Sequence, residues 1–108
     1  MSSRIDAFLN LVRDGRDSAV LRFGLGQALY DAARYAEAVE HLNEALGQDP
    51  GYSAAWKLLG KAYIASDDWQ AAQGAYEEGL EAARRKGDQQ SAKEMTVFLK
   101  RIAKRGDG

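Results

Sequence analysis

Apolar residues recur along this chain at the spacing of one helical face, and no segment alternates apolar and polar residues as a half-buried strand does. The pattern predicts an all-α fold of about six helices, which we place at 3–14, 19–32, 35–48, 53–66, 69–86 and 89–104. Glycine and proline mark the breaks: Gly15 follows the first helix, Pro50 and Gly51 follow the third, and Gly87 follows the fifth.

Short polar side chains are placed to cap two of these helices. Asp17 or Ser18 precedes the second helix, and Asp67 or Asp68 precedes the fifth, where a side-chain oxygen can accept a hydrogen bond from an unpaired amide of the first turn. The sixth helix is predicted to bury a single stripe made of Ala92, Met95, Leu99 and Ile102.

Two stretches of the chain match when one is shifted by 34 residues. The matching pairs are Leu25 and Leu59, Gly26 and Gly60, Ala28 and Ala62, Ala38 and Ala72, Glu44 and Glu78, and Leu46 and Leu80. A fixed period in this range is typical of stacked helical hairpins. Because glycine inside a helix costs about 1 kcal/mol relative to alanine, we expect Gly26 and Gly60 to permit close helix contacts, with Ala38 and Ala72 as their small partners.

The repeated unit resembles the tetratricopeptide repeat, whose signature has Trp, Leu-Gly and Tyr in one helix and Ala, an aromatic residue or Leu, and Ala in the next, followed by Pro. The second unit matches at Trp56, Leu59, Gly60, Tyr63, Ala72 and Tyr76. The first unit matches at Leu25, Gly26, Leu29, Ala38, Leu42, Ala45 and Pro50. The departures are Arg22 in place of Trp, Gly79 in place of Ala and Arg84 in place of Pro.

The resemblance implies a single domain over residues 1–108, folded as a short right-handed α-solenoid of antiparallel helix hairpins. An N-terminal helix at 3–14 would precede repeats at 19–52 and 53–86, and a capping helix at 88–105 would follow them. The first helix then corresponds to the second half of a preceding unit, and the sixth helix to the first half of a following one. The sixth helix fits the period only after a shift of a few residues, so its docking register stays open.

In such a stack, the first helix of each unit lines a concave groove that binds a protein or peptide segment. The candidate groove residues are Val20, Phe23, Gln27 and Tyr30 on the second helix, and Lys57, Leu58, Lys61 and Ile64 on the fourth. Val20 and Phe23 could hold apolar side chains, and Lys57 and Lys61 could meet a carboxylate. An alternative stays open, in which Val20 and Phe23 pack beneath the first helix or a terminal tail and the lysines are only solvated.

The clamp by which this family grips chaperone C-terminal carboxylates requires Lys and Asn where this chain has Phe23 and Gln27, and Asn where it has Leu58. The resemblance therefore implies a peptide or protein groove in general and disfavours that ligand.

The charge of the chain is distributed unevenly. The net charge of −1 argues against a general nucleic-acid binder. Between Arg84 and Arg105, however, eight basic residues stand against two acidic ones, which gives +6 there and −7 for the remainder. This basic end could attract an acidic partner or another copy of the chain, although charged residues on a terminal helix commonly serve solubility alone.

The residues offer little support for catalysis. The chain has no cysteine and one histidine, so thiol chemistry is excluded and a metal site is disfavoured. His41 is flanked by Glu37, Glu40 and Glu44, a pattern typical of a solvated helix face. We expect no enzymatic activity, no cofactor and no metal.

The N-terminal segment contains no continuous apolar stretch of signal-peptide or membrane length, so we expect a cytoplasmic protein without a membrane partner. The sequence thus predicts a non-catalytic interaction module that binds a protein or peptide, either acidic or carrying an apolar anchor. The alternative is a self-assembly module that forms homo-oligomers through its terminal helices. Electrostatic attachment of the basic end to nucleic acid is a weaker third hypothesis.

Overall fold

The computed structural model describes the backbone of residues 3–107 and the side chains of residues 4–106. This part of the chain contains no strand and six α-helices: α1 Ser3–Leu11, α2 Ala19–Asp31, α3 Tyr35–Gln48, α4 Ser53–Ala65, α5 Trp69–Lys86 and α6 Gln89–Asp107. Residues 1, 2 and 108 of the expected domain lie outside it. Each helix packs chiefly against its neighbours in the chain, and α4 also contacts α2 and α6. The predicted all-α stack of helical hairpins is confirmed.

Helix ends follow local side-chain chemistry. Of the two pairs of candidate caps, Ser18 and Asp68 perform the role: the Ser18 hydroxyl accepts a hydrogen bond from the Leu21 amide at 3.1 Å, and the Asp68 carboxylate accepts one from the Ala71 amide at 3.1 Å. Each bond satisfies an amide that lacks a partner within its helix.

The first helix ends in a kink. After Leu11 the chain kinks within Val12–Arg16, where Gly15 has a non-helical φ of 84°. A left-handed backbone of this kind suits glycine and cannot continue the helix. Gly15 is therefore the break that the sequence predicts, although the regular α-helix ends at Leu11, three residues before the predicted end at residue 14.

The α2–α3 and α4–α5 turns have the same geometry. Ala33 has a φ of 60° and Asp67 has a φ of 61°, and these residues stand one period apart. Aspartate tolerates this left-handed conformation better than alanine does. The 34-residue period thus extends to the backbone of the turns, and the first turn carries the greater strain.

The core consists of three buried clusters arranged in sequence along the stack. Ile5, Leu25, Ala28, Leu29 and Ala38 join α1, α2 and α3. Leu42, Ala45, Leu46, Ala55, Leu58, Leu59 and Ala75 join α3, α4 and α5. Ala72, Tyr76, Ala83, Met95 and Ile102 join α5 and α6. Each helix pair buries its apolar face against the next, which is why single hairpins of this size require neighbours.

The two repeated glycines permit close contacts, and one of the two expected partners takes part. A Cβ atom at Gly26 would lie 2.8 Å from the Leu42 side chain and 3.6 Å from the carbonyl oxygen of Ala38, as expected. A Cβ atom at Gly60 would overlap the Tyr76 ring, closest to its Cζ atom, and Ala72 is not among the three nearest neighbours there. Large buried side chains of the following helix occupy the space that each glycine leaves.

The register of α6 is set by contacts on α4 and α5. Met95 and Ile102 are buried, and the Phe98 ring stacks on Tyr76 with centroids 5.0 Å apart. Near the end of the helix, the Arg105 guanidinium lies 4.0 Å from the centre of the Trp69 ring. The predicted buried stripe is confirmed: Met95 and Ile102 form its centre, and Ala92 and Leu99 pack partly buried beside them.

Candidate protein-binding cleft

A cleft of about 230 Å³ opens where α2, α4 and α6 meet. Its lining consists of Phe23 and Gln27 from α2, Ala54, Lys57, Leu58 and Lys61 from α4, and Glu94 and Phe98 from α6. Helical spacing explains the grouping, because positions three or four residues apart share one face of a helix. Five of the eight candidate groove residues are therefore brought together: Phe23, Gln27, Lys57, Leu58 and Lys61.

The other three candidates lie outside this lining. Val20 is 68% exposed. Tyr30 is half-buried and meets Tyr35 edge to face, with ring centroids 5.4 Å apart. Ile64 packs against the cluster between α5 and α6. A helical wheel assigns each residue to a face, but it does not give the rotation of one helix relative to the next.

Phe23 forms the apolar wall of the cleft on the α2 side. Its ring lies 5.1 Å from the Tyr52 ring, centroid to centroid, and packs against the central core cluster. The N-terminal helix lies elsewhere, because a Cβ atom at Gly24 would meet the Phe8 ring of α1. The alternative in which Val20 packs beneath the first helix is wrong, since most of its surface is exposed.

The two lysines of the cleft differ in their surroundings. Lys57 donates to Glu94 at 3.1 Å and is mostly buried, whereas Lys61 is exposed and forms no ion pair with any residue the structure describes. Hydrogen bonds from Gln90 and then Lys57 lower the pKa of Glu94. The expectation that both lysines could meet a carboxylate of a ligand needs correction for one of them: Lys57 already pairs with Glu94 of α6, and Lys61 remains available.

Glu94 and Phe98 were absent from the residues predicted to line the groove, because the 34-residue period does not determine the register of α6. One signal was present: Glu94 is one of two acidic residues between Arg84 and Arg105. An isolated carboxylate in a basic segment is a reasonable candidate for an ion pair with another helix. The cleft therefore has apolar walls, one ion pair between Lys57 and Glu94, and one lysine, Lys61, that has no ion-pair partner among the described residues.

A second polar network lies between α2 and α3. At its centre is Arg22, which stands where the repeat signature has tryptophan. Two nitrogens of Arg22 donate to the Asp17 carboxylate at 2.8 Å, and a third lies 2.9 Å from Nδ1 of His41. The hydrogen bonds that Asp17 accepts from Arg22, followed by one from Gln48, lower the pKa of Asp17 to about 2. Because arginine can only donate, this contact is a hydrogen bond when Nδ1 of His41 carries no proton.

His41 is therefore tied to Arg22, which goes beyond the simple solvated face expected from the sequence. Burial of the ring, followed by the charge of Arg22, lowers the pKa of His41, against the opposing effect of three nearby glutamates. No group of three His, Asp or Glu side chains in the described part of the chain could hold a metal ion. Within the same residues, no helix has the length and apolar character needed to cross a membrane.

Comparison with known proteins agrees with the repeat geometry. A family model described as tetratricopeptide repeat matches residues 29–95, which is more than half of the chain. The chain belongs to the tetratricopeptide-repeat family. The TPR repeat-containing protein PA0015 of Pseudomonas aeruginosa is 48% identical to this TPR protein over 98 residues, which cover 91% of this chain and 93% of that one.

Solved structures share the fold along nearly the whole TPR protein. The solution structure of protein BPP2914 from Bordetella parapertussis is 40% identical, has a TM-score of 0.84, and the match covers 97% of this chain and 91% of that one. The TPR2B domain of yeast Sti1, solved as a complex with pHsp70, is 18% identical with a TM-score of 0.84, over 94% of this chain and 81% of that one. At that lower identity, the likeness concerns the fold.

Proposed function

We propose that this TPR protein is a non-catalytic interaction module that holds a protein or peptide segment in the cleft between α2, α4 and α6. The observation that carries this proposal is the convergence of two TPR helices and α6 on one cleft with apolar walls and an open cation. Peptide segments commonly dock in apolar grooves, where a few placed polar or charged groups add specificity. The Sti1 domain, with its pHsp70 complex, supports an interaction role for the same fold.

The cleft chemistry favours a ligand with an apolar side chain next to a carboxylate. Phe23 and Phe98 offer aromatic surface for the apolar group, and Lys61 offers an ammonium group for the carboxylate. Lys57 contributes less to charge recognition because Glu94 already pairs with it. The Gln27 amide is also engaged, donating to Asp31 at 3.0 Å. Specificity then rests on the combination of Phe23, Phe98 and Lys61.

The test is a comparison of proteins retained from the source cell's lysate by the immobilised full-length chain and by its variants. Phe23→Asp places a charge in the apolar wall, and Lys61→Glu reverses the open cation. Val20→Asp is a matched control, because it introduces the same group one turn away on α2 at an exposed site outside the cleft. Circular dichroism must show that each variant keeps its helical content.

We expect partner proteins that are retained by the wild type and by Val20→Asp but lost with Phe23→Asp and Lys61→Glu. For a purified partner, either cleft variant should raise the Kd by at least about tenfold. Glu94→Gln should act in the opposite direction for an acidic partner, because it releases the Lys57 ammonium group. Equal retention by all the folded variants would refute the cleft as the binding site.

A further inference from the structure

A second surface, the outer α6 face, lies beyond the cleft and has not entered the proposed function. A hollow of about 600 Å³ is lined there by Arg84 at the end of α5 and by Ala92, Lys93, Thr96, Val97 and Lys100 of α6. Val97 is 46% exposed, and the only other exposed large hydrophobic residue in the described part of the chain is Val20 on α2. A single exposed valine needs no explanation by itself, but Val97 lies in a hollow together with three basic residues, Arg84, Lys93 and Lys100.

The position of α6 in the stack indicates what shape of partner would fit its outer face. α2 packs against the helix that follows it, and so does α4, whereas α6 packs only against preceding helices among the described residues. Met95 and Ile102 are used for that packing. The outer α6 face therefore lies where a helix would continue the solenoid, and a helix is the element whose apolar stripe fits such a face.

The charges around the hollow specify the chemistry of that neighbour. Arg84, Lys93 and Lys100 are exposed, and none of them forms an ion pair with another residue that the structure describes. Three cations thus border an apolar strip of Ala92, Thr96 and Val97. Such a surface complements a helix with an apolar stripe and carboxylates beside it, and it repels a basic one.

A second copy of the chain fits this surface poorly. If two outer α6 faces met, the lysines of each would lie against those of the other, which costs free energy. The remaining exposed faces offer no matching stripe, because Val20 is the single exposed large hydrophobic residue apart from Val97 in residues 4–106.

We infer that the outer α6 face docks an acidic amphipathic helix of another protein. The apolar stripe of that helix packs on Ala92, Thr96 and Val97, and its carboxylates pair with Arg84, Lys93 and Lys100. This site is separate from the cleft, since Glu94 and Phe98 lie on a different side of α6.

The probe is a fluorescein-labelled peptide of about 18 residues, or about five helical turns, with a leucine stripe flanked by glutamates. A second peptide keeps the stripe and replaces each glutamate with lysine. Fluorescence anisotropy measures binding to the full chain and to three variants: Val97→Asp, Lys93→Glu with Lys100→Glu, and the control Arg13→Glu with Arg16→Glu. The two double variants change the net charge equally, and Arg13 and Arg16 lie before α2 at the opposite end of the stack.

The glutamate peptide should bind the wild type saturably, and the lysine peptide should not. Val97→Asp and the double lysine variant should each raise the Kd at least about tenfold, while the arginine control changes it less than about twofold. Absence of binding, equal binding of both peptides, or equal losses in the two double variants would overturn the proposal.

Two further outcomes also count against it. Loss of peptide binding with Phe23→Asp but not with Val97→Asp would assign the peptide to the cleft. A mass that rises with protein concentration in sedimentation, and that Val97→Asp returns to the monomer, would assign the face to a second copy. The cleft variants Phe23→Asp and Lys61→Glu test the proposed function separately from the α6 variants. Failure of the helix-docking proposal therefore leaves the proposed function untouched, and failure of the proposed function leaves the helix-docking proposal untouched.

Discussion

The contact between Gly60 and Tyr76 allows a sharp test of how the repeat packs. Replacing Gly60 with alanine places a Cβ atom 2.5 and 2.6 Å from two carbons of the Tyr76 ring, well inside the ordinary contact distance near 3.4 Å. Tyr76 is fully buried and stacks on Phe98, so its ring has little room to move. The overlap therefore has to be relieved by shifting α4 away from α5.

The magnitude follows from two opposing effects. Forcing extra volume into a packed core costs typically about 1–3 kcal/mol, and the rigid surroundings of Tyr76 place Gly60→Ala near the upper end. Alanine also favours the helix by about 1 kcal/mol relative to glycine. The net expectation is a loss of about 2 kcal/mol of unfolding free energy, or about 10 °C in Tm for a domain of this size.

Gly74 supplies the matched control. It lies inside α5, is exposed, and a Cβ atom there would meet nothing within 4 Å. Gly74→Ala should therefore gain about 1 kcal/mol from helix propensity alone, so the two alanine variants should differ by about 3 kcal/mol. Thermal and urea unfolding followed by circular dichroism measure both changes.

The role of the tyrosine ring can be isolated with Tyr76→Leu. In a double-mutant cycle, the cost of Gly60→Ala should fall by at least about 1 kcal/mol when leucine replaces the ring. A Gly60→Ala protein as stable as the wild type, or a cost unchanged by Tyr76→Leu, would refute the packing argument.

Three further predictions concern a turn, a histidine and a helix cap. Ala33→Gly should add about 0.5–1 kcal/mol to the unfolding free energy because glycine tolerates its positive φ, whereas Ala32→Gly should lower it; equal effects in urea melts would contradict this. The pKa of His41 is lowered in the folded protein. As the pH falls, His41 of the unfolded chain therefore takes up its proton near about pH 6.5, before His41 of the folded chain does. The urea midpoint should therefore fall from pH 7 to 5.5, and His41→Gln should flatten the decline; an unchanged slope would count against it. Asp68→Ala should cost about 1 kcal/mol by removing the cap of α5, and a neutral result in the same melts would deny that role.

Much of the fold could be predicted from the sequence because its signals are local. The bounds of α3 and α5 match the expected ranges, since periodic apolar residues and nearby turn residues determine both ends. Ser18 and Asp68 were among the expected caps for the same reason. The buried stripe of α6 was also correct, because amphipathic spacing depends only on the helix itself.

The cleft could be predicted only in part, because it depends on the relative rotation and register of helices. Phe23 and Lys61 could be predicted because helical spacing assigns each to one face of its own helix, and the repeat pattern implies that these faces of α2 and α4 line one groove. Glu94 and Phe98 belong to a helix that departs from that period. Tyr30 shows the other limit, since a residue on the right face near a helix end can still turn into the core.

Under the proposed function, the participation of α6 in the cleft would tie ligand affinity to local unfolding. In a linear stack each helix is held mainly by its neighbours, so an end helix opens at a lower free energy than the middle of the stack. When α6 detaches, Glu94 and Phe98 leave with it, and the cleft loses one side while α2 and α4 stay folded. By linkage, a ligand that contacts Phe98 slows hydrogen exchange along α6, including at amides that the ligand does not contact. The exchange rates of α6 amides then report how much of the cleft is occupied.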